Sequence, residues 1–208
     1  VDSQKQETIA AYEAAAVDYA TETAQLPDSI RTTCARFARL LAGSGRVLEI
    51  GSGGGRDARA LEEYGLSVRR TDITPGFVEV LRGQGFEADL LDPLTDELDD
   101  PHNPEGRYDA IWAQACLMHV DRDDLPTVLT RLAEVTRPAG LIFLSVTEGD
   151  GDTRDAGRTG ARYHRTDWRE AQLCATANGS GWVVDEVWSS QGKFSPFLNV
   201  LGHRADAS

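Results

Sequence analysis

The spacing of apolar positions changes as the chain is read from its N-terminus. From Gln4 to Thr23, Ile9, Tyr12, Ala16 and Tyr19 recur near a 3.6-residue period in an alanine-rich run, which predicts a helix. After Leu26-Pro27-Asp28 a second amphipathic helix is predicted to about Leu41, with Ile30, Cys34, Phe37 and Leu41 on one side, and Gly43 to Gly45 end it. Short apolar runs then alternate with helical patterns. Strands are expected at Arg46–Ile50, Ser67–Thr71, Phe86–Asp89, Tyr108–Trp112 and Leu141–Val146. Helices are expected from Asp57 to Tyr64, Pro75 to Arg82, Asp123 to Thr136 and Asp167 to Ala177. That rhythm predicts an α/β fold, a mostly parallel sheet with helices on both faces. The helix boundaries agree: Thr74 reads as an N-cap with Pro75 at the first helical position, and Gly65 and Gly83 as stops.

The C-terminal part breaks the rhythm. Trp182–Trp188 and Phe197–Arg204 are strand-like, but only Ser189 to Ser195 separates their cores. Parallel neighbours need a dozen or more connecting residues, so these two pair antiparallel or lie apart. Asp92 to Arg107, acidic with three prolines, and Glu148 to Arg162, rich in Gly, Asp and Arg, read as loops. No internal repeat and no long linker interrupts the pattern, so residues 1–208 are expected to form one domain.

Composition narrows the partners. With 21 basic and 34 acidic residues the net charge is −13. Such a surface repels phosphate backbones and anionic membranes, so neither nucleic acid nor membrane is expected as a partner. The three cysteines, Cys34, Cys116 and Cys174, form no close pair, which fits buried free thiols in a reducing cytoplasm. No apolar run approaches ~18 residues. The N-terminus carries no basic-then-apolar leader, and a cytoplasmic protein is the expectation.

The most specific chemistry lies in Val47-Leu48-Glu49-Ile50-Gly51-Ser52-Gly53-Gly54-Gly55-Arg56-Asp57, an apolar strand leading through a glycine turn into a helix. Glycines allow a sharp turn and close approach of a ligand, and the new helix adds unpaired N–H groups. A dinucleotide fingerprint would place its third glycine at Arg56, too large for close helix–strand packing, so a single-nucleoside cofactor is favoured over a nicotinamide dinucleotide. The block resembles the Glu-x-Gly-x-Gly-x-Gly motif of class I S-adenosylmethionine-dependent methyltransferases, and the resemblance runs from about Tyr12 to Arg204. It implies a Rossmann-like seven-stranded sheet of order 3-2-1-4-5-7-6 with the last strand antiparallel. It also implies S-adenosylmethionine as cofactor, held in part by Gly51, Gly53 and Gly55.

Asp72 closes the second strand 21 positions after Gly51, near the ~20-residue offset of an acidic ribose ligand. The alternative is an acid capping the next helix. By resemblance, Asp72 binds the adenosine ribose and Ile73 packs on the adenine. Asp89 and Leu90 match the positions that meet the adenine amino group, unless Asp89 is a solvated loop acid. Glu49 reaches towards the methionine moiety or holds the glycine loop. Arg56 meets the methionine carboxylate or pairs on the surface. Ala113 and Gln114, after the fourth strand, lie beside the methionine part. The chain lacks the Pro-Pro turn of base- and glutamine-modifying members there, and instead resembles the ubiquinone-biosynthesis and tellurite-resistance type, which acts on small molecules.

Methyl transfer asks mainly for a nucleophile held in line and for exclusion of water. His119 is a candidate general base, or else a core histidine, since an imidazole titrates near neutrality. His164 and Glu148 are further candidates. Tyr12 and Tyr19, seven apart on one helical face, either face the site from an N-terminal helical lid (residues 1–43) or form an apolar stripe. With them the 148–162 loop is expected to close over the donor site. No metal site is expected, because the acids of the 92–100 loop have no ligand spacing. The reading is therefore an enzyme, monomer or homodimer, methylating a small molecule. The competing readings are a nicotinamide-dependent oxidoreductase and a non-catalytic cofactor-binding protein.

Overall fold

A computed structural model describes residues 3–155 and 159–206. Along them run α1 (Ser3–Glu22), α2 (Asp28–Leu40), β1 (Arg46–Ile50), α3 (Arg56–Glu63), β2 (Ser67–Asp72), α4 (Pro75–Gly83), β3 (Asp89–Leu90) and β4 (Tyr108–Gln114). Then follow α5 (Leu125–Glu134), β5 (Thr136–Thr147), β6 (Asp152–Asp155), β7 (Tyr163–Thr166), α6 (Glu170–Gly179), β8 (Trp182–Gln191) and β9 (Pro196–Arg204). Seven strands form one sheet in the order β3-β2-β1-β4-β5-β9-β8. Strands β1 to β5 are parallel, and β9 runs antiparallel to both neighbours. With the β6–β7 hairpin set aside, this is the expected order with its reversed last strand.

Both faces of the sheet are covered, so the central strands β1, β4 and β5 are largely apolar and their residues alternate between two cores. Leu48, Ile111 and Leu144 pack with Leu125 and Leu129 of α5 and Leu173 of α6. Their neighbours Val47, Trp112 and Phe143 face the other way, onto Cys34 and Phe37 of α2 and Leu61 of α3. Trp112 is fully buried there, with the Phe37 ring edge-on at 5.2 Å and the Phe143 ring at 4.3 Å.

Two expectations are corrected. The Glu148–Arg162 segment is not simply a loop, because Asp152–Asp155 pairs antiparallel with Tyr163–Thr166. The β6 sequence Asp-Thr-Arg-Asp has no apolar period to announce a strand. The pairing is stabilised instead from β7, whose Tyr163, His164 and Thr166 are buried. Residues 156–158 of the expected lid lie outside the described residues. The third strand begins at Asp89 rather than Phe86, because the Phe86 ring turns aside to pack with Val78, Leu81 and Ala88 and lies 4.3 Å from the Arg70 guanidinium. Among the described residues no helix is long and apolar enough to cross a membrane, and no cluster of three or more acids, histidines or cysteines could hold a metal.

Candidate functional site

The C-terminal ends of β1, β2 and β4 open into one cavity of about 190 Å³. Its floor is the glycine turn. Gly51, Gly53 and Gly55 all have positive φ (71°, 51° and 74°), a conformation that a Cβ disfavours. A Cβ on Gly51 would collide with the Cys116 side chain, and one on Gly55 would lie 2.5 Å from Leu81. Gly53 differs, since a Cβ there would meet nothing within 4 Å. Ser52 ties the turn to the sheet. Its N–H donates to the Thr71 carbonyl at 2.9 Å and its hydroxyl to Glu49 at 2.5 Å, while the hydroxyl oxygen accepts the Thr71 N–H.

Glu49 and Asp72 both line the cavity and are almost fully buried, at 2% and 6% exposure. Burial pushes the Glu49 carboxyl up to about 8, helped by the nearby charge of Asp57. Burial also raises Asp72, to about 6, against the opposing pull of its hydrogen bonds. Asp72 accepts the Gly53 N–H through one oxygen and the Thr74 N–H through the other, each at 2.9 Å. It thus joins the glycine turn to the start of α4.

The roof is α1. Its small residues allow close approach: a Cβ on Gly54 would sit 3.1 Å from Ala20, and one on Gly76 2.9 Å from Ala16. Polar contacts hold it down. Glu13 accepts the Gly76 N–H at 2.7 Å, Lys5 pairs with Asp92 after β3, and Arg56 donates to the Thr23 carbonyl at 3.2 Å. Tyr19 and Phe77 stack edge-on at 5.5 Å on the same wall.

Tyr12 reaches down from α1 and places its hydroxyl 3.0 Å from Nε2 of His119, in the 3₁₀ turn Leu117–His119 that follows β4. The other ring nitrogen, Nδ1, lies 2.8 Å from the main-chain carbonyl of His164 in β7. A carbonyl only accepts, so Nδ1 carries the hydrogen. Burial lowers His119 to about 4 and raises Tyr12 well above the usual phenol range, the latter with help from Tyr19 and Tyr163. Both groups are therefore neutral, and the Tyr12 O–H donates to Nε2. The His164 N–H in turn donates to Thr8 Oγ1 of α1 at 3.1 Å, so β7 is pinned between the roof and the 3₁₀ turn.

Of the residues singled out in the sequence, Tyr12, Glu49, Gly51, Gly53, Arg56, Asp72, Ile73, Gln114 and His119 share this cavity. Gly55 lies behind the turn, against Leu81. Ala113 is buried in the core and does not line the cavity. Asp89 and Leu90 do not reach it either. The Asp89 carboxylate pairs with Arg69 at 2.8 Å, Leu90 is 55% exposed, and the wall is built by Leu91 to Leu94 instead. The later start of β3 accounts for this displacement. Arg56 lines the cavity and pairs at 2.9 Å with Asp57, which is a buried acid and not a surface one. Glu148 accepts from Ser189 and stands apart, and His164 lies behind the wall, 3.0 Å from Asp121. Of the expected lid over residues 1–43, α1 covers the cavity but α2 belongs to the core.

Lys5, Thr8 and Asp92 were missed, as was the buried side-chain oxygen of Gln114, which has no hydrogen-bond partner. A lysine and an aspartate 87 positions apart carry no local signal of their pairing.

Residues 48–144 match a methyltransferase-domain family model. The ubiquinone biosynthesis O-methyltransferase of Xanthomonas oryzae pv. oryzae is 31% identical over 110 residues, 52% of this chain and 45% of that protein. The chain thus spans less than half the length of that relative. The fold resembles the CcbJ methyltransferase of Streptomyces caelestis (TM-score 0.73, 19% identity, 96% of this chain and 99% of that one). It also resembles the Burkholderia thailandensis 1,6-didemethyltoxoflavin-N1-methyltransferase, solved with its substrate and S-adenosylhomocysteine (TM-score 0.66, 21% identity, 85% and 78% covered).

Proposed function

We propose that the chain is a class I S-adenosylmethionine-dependent methyltransferase, which binds S-adenosylmethionine above Gly51–Gly55 and transfers the methyl group to a small molecule. The observation that carries this reading is the convergence of Gly53, Asp72 and Gln114, from the ends of three strands, on one cavity. The residues suit the cofactor. The open side of Gly53 leaves room where a side chain would intrude, and the Asp72 carboxylate, which lines the cavity, is an acceptor of the kind that vicinal hydroxyls donate to. The unpartnered Gln114 oxygen supplies a further acceptor.

Bound there, the cofactor supplies an electrophilic methyl on a sulfonium, which needs no covalent help from the protein. The chain contributes position and dryness. Asp72 holds the ribose and stays hydrogen-bonded to the turn, so it is already oriented before binding. The glycine turn admits the amino-acid end close to the backbone, beside Arg56. The α1 roof, with Tyr12, Tyr19 and Ala20, keeps water from the reacting atoms.

Titration calorimetry with S-adenosylhomocysteine and with NADH tests the reading. Binding of the first and silence with the second is expected. Heat with NADH alone would establish a nicotinamide enzyme instead.

A further inference from the structure

Within that methyltransferase reading, we infer that Tyr12, and not His119, meets the acceptor, and that the acceptor atom carries a hydrogen. The site is built for a neutral amine or hydroxyl and against an ionised oxyanion.

Two hydrogens decide this, one on His119 and one on Tyr12. The His164 carbonyl, 2.8 Å from Nδ1, accepts a hydrogen from it. His119 is then left with a bare Nε2, 3.0 Å from the Tyr12 oxygen. The single phenolic hydrogen of Tyr12 must point at Nε2, since otherwise two lone pairs would face each other in a buried place. With both ring nitrogens engaged, His119 has no free site for an acceptor. Tyr12 also lines the cavity, and its oxygen has no hydrogen left to give there. It also bonds the Tyr163 side chain, and with its hydrogen spent on Nε2 it accepts there too, so that towards the acceptor it offers a remaining lone pair and no hydrogen. The low proton affinity that burial imposes on His119 keeps this arrangement in place near neutral pH.

The surroundings act in the same sense. Asp121 and Asp124 line the cavity beyond His119, and Thr8 spends its hydroxyl on the Gln4 carbonyl and its oxygen on the His164 N–H. Lys5 and Arg56 also line the cavity, but each is already paired with an acid, Asp92 and Asp57, so a carboxylate or phosphonate acceptor would meet electron pairs at Tyr12 and the two further aspartates. An N–H or O–H acceptor instead donates to Tyr12, which turns its own lone pair towards the methyl donor. For an amine, that lone pair forms the new nitrogen–carbon bond while the broken carbon–sulfur bond leaves its electrons on sulfur. The product is an alkylammonium, which loses its proton to water after release. For a hydroxyl, the oxygen–carbon bond forms in the same way. As the oxygen is alkylated its proton becomes strongly acidic and passes to the Tyr12 oxygen as the Tyr12 proton moves to Nε2 of His119, which returns it to solvent after product release.

Nitrogen-15 NMR of the labelled, ligand-free protein tests the hydrogen positions without reference to turnover. Near neutral pH, His119 should have a protonated Nδ1 and a bare Nε2, and Tyr12→Phe should shift the Nε2 resonance while Nδ1 stays protonated. A protonated Nε2 overturns the inference. A second arm supplies radiolabelled S-adenosylmethionine with benzylamine, phenol, benzoate or phenylphosphonate. Label should enter the first two, and Tyr12→Phe should lower kcat by about 10-fold while leaving S-adenosylhomocysteine affinity nearly unchanged. Faster labelling of benzoate or phenylphosphonate overturns the inference. If none is labelled, the NMR result alone decides it. Loss of S-adenosylhomocysteine binding in the parent protein would instead refute the methyltransferase reading, whatever the NMR shows.

Discussion

Glu49→Gln gives a direct measure of what the cavity costs the fold. Glu49 is 2% exposed, and its carboxyl titrates at about 8 against an ordinary 4.5. Between those values the folded chain holds a proton that the unfolded chain has released, so stability falls as pH rises through this window. Below 4.5 and above 8 the two states carry equal protons at this site, and the slope vanishes. Asp72, raised to about 6, contributes a similar fall at lower pH, between its ordinary 3.8 and 6. Between about pH 6.5 and pH 8, Glu49 therefore dominates, and one proton over ~1.5 pH units corresponds to about 2 kcal/mol. Glutamine has no charge to bury, so the variant should lose that slope. Whatever the exchange costs in packing or in its bond to Ser52 is independent of pH and cancels from the comparison. Urea unfolding followed by tryptophan fluorescence at both pH values measures it. The parent should lose about 2 kcal/mol more than the variant, or roughly 4–8 °C in Tm. Parallel losses in the two proteins would show that Glu49 is already ionised in the folded state at neutral pH, and would refute the reasoning.

Asp72→Ala should weaken S-adenosylhomocysteine binding by roughly 10- to 100-fold in calorimetry, the loss of ~1.5–3 kcal/mol from hydrogen bonds to a charged group. An unchanged dissociation constant would reduce Asp72 to a link between Gly53 and Thr74. Gly76→Ala places a Cβ 2.9 Å from Ala16 and 3.1 Å from the Glu13 carboxylate. It should lift α1, with faster hydrogen exchange from Tyr12 to Ala20 and a cost of ~1–3 kcal/mol in unfolding. Phe37→Ala, beneath Trp112, should cost ~3–5 kcal/mol in denaturant unfolding while S-adenosylhomocysteine affinity is kept, since α2 belongs to the core and not to the roof.

The sequence by itself determined the central sheet. Apolar runs such as those of β1, β4 and β5, separated by helical periods and cut by Gly65 and Gly83, mark parallel strands because a strand buried on both faces is largely apolar, while β2, Ser-Val-Arg-Arg-Thr-Asp, was marked by its place in that rhythm. The glycine turn and Asp72 were legible for a similar local reason: positive φ at Gly51, Gly53 and Gly55 permits little else. Tertiary structure alone decided the rest. Asp89 and Leu90 missed the cavity because the Phe86 ring packed into a neighbouring cluster and delayed the strand. The β6–β7 hairpin left no apolar pattern in β6, because the buried side chains that hold it, Tyr163, His164 and Thr166, belong to β7. The role of His119 was equally hidden. Its type and place after β4 suggested a base, but its hydrogen is positioned by the His164 carbonyl and its free nitrogen is taken by Tyr12, from segments 45 and 107 residues away. Backbone preferences act within a few residues and can be read along the chain. Hydrogen-bond partners that meet across the fold are chosen by packing, and only the folded chain contains that choice.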